Sequence, residues 1–125
     1  MGSFSFEDLQ IWQEARKFRI KISDKVKDLP IEEKYRLADQ MIRASRSITA
    51  NIAEGYGRFH YKENMQFCRQ ARGSIYEMID HLTVALDEGY ITFQDFEYLR
   101  NECYTLLKML NGYIRYLKDK SKLSS

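Results

Sequence analysis

The chain has 125 residues, 44% apolar and 30% charged, which suits one domain with one core and excludes a disordered or membrane-embedded protein. Its net charge of +2 is too small to mark a nucleic-acid binder, but the charge is segregated. Residues 1–76 carry fourteen Lys/Arg against ten Asp/Glu, residues 77–102 one against seven, and residues 103–125 five against one, so one face can hold a polyanion while another repels it.

One proline and six glycines leave long stretches without turn signals, which favours long helices over a sheet. No basic segment followed by an apolar run opens the chain, and no stretch approaches the ~20 apolar residues that cross a bilayer. The expected location is the cytoplasm, with no membrane partner. Cys68 and Cys103 fall inside helical patterns and are expected as buried thiols, not a disulfide.

The first helix is predicted from Glu7 to Lys27, because Ile11, Trp12, Ala15, Phe18, Ile22, Val26 and Leu29 advance by threes and fours. Pro30 ends it. The second is predicted from Ile31 to Ala53 on Ala38, Met41, Ser45, Ile48 and Ile52, with Gly55 and Gly57 as its stop. The third runs from Tyr61 to Glu88 on Phe67, Ala71, Ser74, Ile75, Met78, Leu82 and Ala85, and stops at Gly89. The fourth opens at Thr92 with Asp95 as a variant capping box. It continues through Phe96, Leu99, Cys103, Leu106, Leu110, Ile114 and Leu117 before fading into a basic tail. Short connections between long helices imply an all-α, antiparallel up-down-up-down four-helix bundle. It should be a single domain over residues 4–120, with 121–125 a frayed tail.

Catalytic and metal signatures are missing. His60 and His81 read as surface or helix-end histidines rather than zinc ligands, and the paired Glu-x-x-His of di-iron bundles is absent. Gly55-Tyr56-Gly57-Arg58 follows a helix instead of a strand, so it is not a phosphate loop. Neither an enzyme nor a cofactor is expected.

Geometry gives the one positive signal. At about 100° per residue, Arg43 and Arg46 of the second helix and Arg69 and Arg72 of the third stand well away from the apolar stripes. Antiparallel packing about residues 57 and 58 would level Arg46 with Arg69 and Arg43 with Arg72, as two rungs of paired arginines. Arg58 and Lys62 extend the run toward the loop, and Met65 and Tyr76 share the outer face. Such a cluster needs an answering anion: an RNA or DNA phosphate backbone, with Tyr76 stacking on a base; acidic side chains of another subunit, from Glu77 to Glu102; or only solvent. Nine tyrosines, among them Tyr98, Tyr104, Tyr113 and Tyr116 on one helix, read either as core rim or as a subunit interface.

The opening Phe6-Glu7-Asp8-Leu9-Gln10-Ile11-Trp12-Gln13-Glu14-Ala15 resembles that of the four-helix-bundle proteins encoded by intervening sequences in bacterial 23S ribosomal RNA genes. So does the run from Gln40 through Arg43-Ala44-Ser45-Arg46 and Asn51-Ile52-Ala53-Glu54-Gly55-Tyr56-Gly57-Arg58, and so do Lys62-Glu63, Phe67 and Ala71-Arg72-Gly73-Ser74-Ile75-Tyr76-Glu77. One departure is Thr49, where the family usually has proline; Thr49 can bond back to a carbonyl and bend the helix more gently. The resemblance implies a homopentameric barrel and a role in RNA or nucleoprotein binding. The family is similar to the accessory variability determinant of diversity-generating retroelements, so a reverse transcriptase is an implied partner. Arg43, Asn51, Glu54, Gly55, Gly57 and Arg58 then read as structural motif residues or as ligand contacts. In the structural reading Asn51 and Glu54 satisfy the helix-two end and Arg58 pairs with Glu54. The expected nucleic-acid-binding set is Arg43, Arg46, Arg58, Lys62, Arg69 and Arg72, with an oligomeric scaffold as the alternative function.

Overall fold

The computed structural model of the protein describes residues 3–124. Among them are four long helices and no strand: α1 (Gln10–Lys25), α2 (Leu37–Gly57), α3 (Tyr61–Asp87) and α4 (Phe93–Ser124). Their apolar stripes meet in one core, where Phe18, Ile22, Met41, Ile48, Ile52, Ile75, Met78, Leu82, Leu110 and Leu117 are almost wholly buried. Each such side chain contributes about 1.5–3 kcal/mol when removed from water. Packing is most extensive between α2 and α3, then between α3 and α4, and α1 touches both α2 and α4.

The helix ends depart from expectation for local reasons. The first segment is not one helix from Glu7. Phe6–Asp8 forms a separate 3-10 turn, closed by Ser5 and Asp8 in a capping box, and extended Leu9 divides it from α1. Val26–Asp28 tightens into 3-10 geometry, and Leu29 is extended, as the residue before a proline must be. Nor does the second helix begin at Ile31. Ile31–Glu33 is only a 3-10 turn, and Arg36 breaks the path with φ −123°, ψ −104°. The Glu33 carboxylate then accepts from the Leu37 N–H at 3.3 Å and from the Tyr90 hydroxyl at 2.8 Å, so the connection is tied to both α2 and the α3–α4 turn.

The glycine pair does not stop α2 after Ala53. The helix runs on to Gly57, Gly55 is buried against α3, and the left-handed residue of the turn is Phe59, at φ 62°. Gly89, at φ 75°, makes the turn after α3. The Thr92 hydroxyl accepts from the Asp95 N–H at 3.0 Å and caps α4. α4 is helical to Ser124, past the expected start of the tail at residue 121; no proline interrupts it, and Lys122 in its last turn suits the carbonyl end. Ser125 lies outside the described residues.

Candidate nucleic-acid interface

The register between α2 and α3 decides where the arginines lie. The Ser74 hydroxyl donates to the Ser47 hydroxyl at 2.9 Å, and Gly55 sits against Asn64 and Phe67. Position 46 is therefore level with about position 75, not 69, an offset of about 9 Å at ~1.5 Å per residue. The expected rungs Arg46–Arg69 and Arg43–Arg72 do not form. The cause is the extra helical turn through Gly57, which moves the reversal to Phe59 and His60.

The six cations also face different neighbours. Arg43, exposed on α2, pairs with Asp39 at 3.0 Å. Arg58 pairs with Glu54 at 3.3 Å and reaches Glu63 at 4.0 Å, with its guanidinium 5.0 Å from the Phe67 ring centre. Arg72 is half-buried and donates to the Asn111 side chain of α4 at 2.8 Å. Arg46 turns the other way, toward α1, lining a groove with Trp12 and Arg19. Lys62 and Arg69 are exposed on α3, and no ion pair to either, or to Arg46, forms among the described residues. Met65 does not share the outer face with Tyr76: it is buried, while Tyr76 is 54% exposed.

The motif residues have distinct tasks. Asn51 does not serve the helix end; its amide donates to the Ser47 carbonyl at 2.9 Å and to the Ser47 hydroxyl at 3.0 Å. Asn51, Ser47 and Ser74 thus form one polar seam where α2 and α3 approach. Glu54 holds Arg58 rather than the backbone. Gly55 allows the close approach, whereas Gly57 has open space around it. Thr49 bonds back to the Arg46 carbonyl at 3.1 Å and accepts from Arg19 at 2.9 Å.

Two features lie outside what the pattern indicated. His81 is buried, not a surface residue, and its Nε2 lies 2.9 Å from Glu77 one turn earlier. Arg19 points across to α2, a direction set by the rotation of α1 in the bundle and invisible in helical spacing alone. Burial pushes the Cys68 and Cys103 thiols up to about 12, so neither is a thiolate nucleophile at neutral pH. Among the described residues no three His, Cys, Asp or Glu side chains gather as metal ligands, and no helix is long and apolar enough to cross a membrane.

The sequence model of the family described as 23S rRNA-intervening sequence proteins matches residues 7–112. The chain belongs to that family. The fold of this 23S rRNA-intervening sequence protein is also similar to a solved structure from Bacteroides thetaiotaomicron VPI-5482, described as a protein with unknown function from the S23 ribosomal protein family. The TM-score is 0.78 at 24% identity, over 84% of this chain and 95% of that one; at this identity the likeness is one of fold. No curated protein matches the chain.

Proposed function

We propose that this 23S rRNA-intervening sequence protein is a cytoplasmic, non-enzymatic bundle that assembles with itself and holds the phosphate backbone of RNA, or of DNA. The helices alternate in direction, supported by Lys21–Glu102 and Lys25–Asp95 between α1 and α4, where rising numbers on one helix meet falling numbers on the other. The homopentamer rests on the family resemblance.

The observation that carries the binding reading is a line on α3. Lys62, Arg69 and Tyr76 are each seven residues apart and all exposed, so they share one face at intervals of about 10 Å. Among the described residues neither cation has an acidic partner, and an aromatic ring follows them, a combination suited to phosphate and to a stacked base. The ion pairs of Arg43 and Arg58 are solvent-exposed and weak, so a phosphate can compete for them. Filter retention of single-stranded RNA and DNA tests this. Affinity should fall steeply with salt, and Lys62→Gln with Arg69→Gln should lower the log–log slope by about 0.7 per lost contact. Failure to retain either nucleic acid at low salt overturns the reading.

A second reading, a scaffold that docks a protein such as a reverse transcriptase, is favoured by the aromatic rim near the α2–α3 turn. Phe4, Phe59, Tyr61 and Tyr116 are exposed there around a groove of roughly 620 Å³. On that reading Phe59→Ser with Tyr116→Ser weakens co-purification of a co-expressed reverse transcriptase and leaves RNA retention unchanged; unchanged co-purification counts against it.

A further inference from the structure

The groove between α1 and α2 gathers cations in a way that the α3 line does not. It has a volume of roughly 510 Å³, and its lining includes Trp12, Arg19, Arg46, Thr49, Ala50 and Ala53. No carboxylate lines it, and neither Arg19 nor Arg46 forms an ion pair among the described residues. Arg19 is also held in place: its guanidinium donates to the Thr49 hydroxyl at 2.9 Å, and that hydroxyl donates in turn to the Arg46 carbonyl at 3.1 Å. One arginine fork is thus pre-oriented beside a second that is free to close. Phe6 also lines the groove and packs edge-on against Trp12, with ring centres 5.1 Å apart, while Arg16 lies over the Trp12 ring at 5.9 Å and lines a neighbouring groove with Glu7. The rest of the lining is largely apolar, made by Phe6, Trp12, Ala50 and Ala53.

We infer that this groove is a site for a phosphate ester that carries a nucleobase, with Arg19 and Arg46 holding the phosphate and the apolar side of the groove beside Phe6 and Trp12 receiving the base. Two like charges facing one solvent-filled groove without a carboxylate repel each other, and a phosphate removes that repulsion while matching both forks. The apolar wall gives a base a surface that inorganic anions do not use. Thr49 is a positioning residue, since it acts only by aiming Arg19. The inference rests on the nucleic-acid reading above but uses different residues, so the two can fail separately.

The chain contains one tryptophan, which makes its fluorescence a reporter of this groove. Titration with a short single-stranded ribo-oligonucleotide should quench Trp12 saturably, inorganic phosphate should compete without quenching, and Arg19→Gln with Arg46→Gln should weaken the effect about tenfold or more. Thr49→Val should weaken it less. Lys62→Gln with Arg69→Gln should leave the quenching in place. A free mononucleotide that quenches as tightly as the oligonucleotide supports the site and makes a free nucleotide its ligand. RNA retained on filters with no quenching overturns the site and leaves the α3 reading standing. No quenching together with no retention overturns both. Unquenched fluorescence with an assembly mass that falls in the Arg19/Arg46 variant also overturns it, and gives the groove to carboxylates of a second copy. Arg19→Lys, which keeps the charge and loses the fork, repeats the test should the double variant fail to fold.

Discussion

Gly55 of α2 and Asn64 of α3 stand so close that a Cβ on the glycine would lie 2.6 Å from the asparagine Oδ1 and 3.0 Å from its carbonyl oxygen. Asn64 has little freedom to retreat. It is buried, its amide donates to the Tyr113 hydroxyl at 3.3 Å, and its Oδ1 accepts from the Cys68 thiol at 3.5 Å. Gly55→Ala should therefore cost about 1–3 kcal/mol by overpacking, seen as a lower urea midpoint at unchanged slope. Gly57→Ala meets open space within a helix and should gain about 0.5–1 kcal/mol. Equal effects at the two glycines would contradict the close approach.

The Lys25–Asp95 pair predicts a dependence on acid and on alkali. Its hydrogen bond to Lys25 holds the Asp95 carboxyl below its ordinary 3.8, and the same bond raises Lys25 above 10.5. Asp95 thus supplies stability that is present above its unfolded value and lost as pH falls through the lower folded one. Lys25 supplies stability that is full below 10.5 and lost as pH rises through its folded value. Asp95→Asn should remove the first effect and reduce the second, which Asp28 also supports, flattening the acid limb below about pH 4 and weakening the alkaline limb above 10.5 in a series of urea midpoints. An acid limb identical to that of the parent would show that the pair does not form in solution.

What the sequence disclosed and what it hid divide along physical lines. The stripes of α2, α3 and α4 were legible, because burial of Met41, Ile48, Ile75, Met78, Leu106 and Leu110 follows directly from helical spacing. Glycine misled at the end of α2. Its common use as a stop is statistical, whereas Gly55 is there because Asn64 leaves no room for a side chain, a fact that belongs to the partner helix. An exposed phenylalanine gives no signal for a left-handed turn, so the reversal at Phe59 and the resulting register were hidden with it. That shift is what separates Arg46 from Arg69. Arg19 reads as a surface residue of α1 until the rotation of α1 against α2 is known, so the groove it shares with Arg46 had no trace in the spacing.

Buried acids of the core predict a second alkaline effect. Burial pushes the thiols of Cys68 and Cys103 up to about 12, from 9.0, and the phenol of Tyr113 up to about 12, from 10.0. All three release protons more readily when unfolded, so the stability they contribute is full below their unfolded values and drains as pH climbs toward 12. Urea midpoints should be level from pH 7 to about 9 and then fall. In parallel, a thiol-specific chromogenic reagent should label neither cysteine in the native protein and both in a single step on unfolding. Rapid labelling of one thiol under native conditions would show that its part of the core opens locally.

Phe59 gives the last prediction, because its backbone and its side chain are both out of place. It adopts φ 62° and is 86% exposed, so the backbone is strained by about 1–2 kcal/mol with little burial of the side chain among the described residues to offset it. Asparagine tolerates the left-handed region far better. At low protein concentration, Phe59→Asn should raise the unfolding free energy by about 0.5–1 kcal/mol, a fraction of the strain relieved. A substitution that lowers stability at every concentration would mean the turn draws on the ring in a way this geometry does not contain. A gain at low concentration that turns into a loss at high concentration, with a falling mass by light scattering, would place the ring between subunits. The strain would then be retained because the exposed ring serves assembly, in keeping with the rim formed by Phe4, Tyr61 and Tyr116.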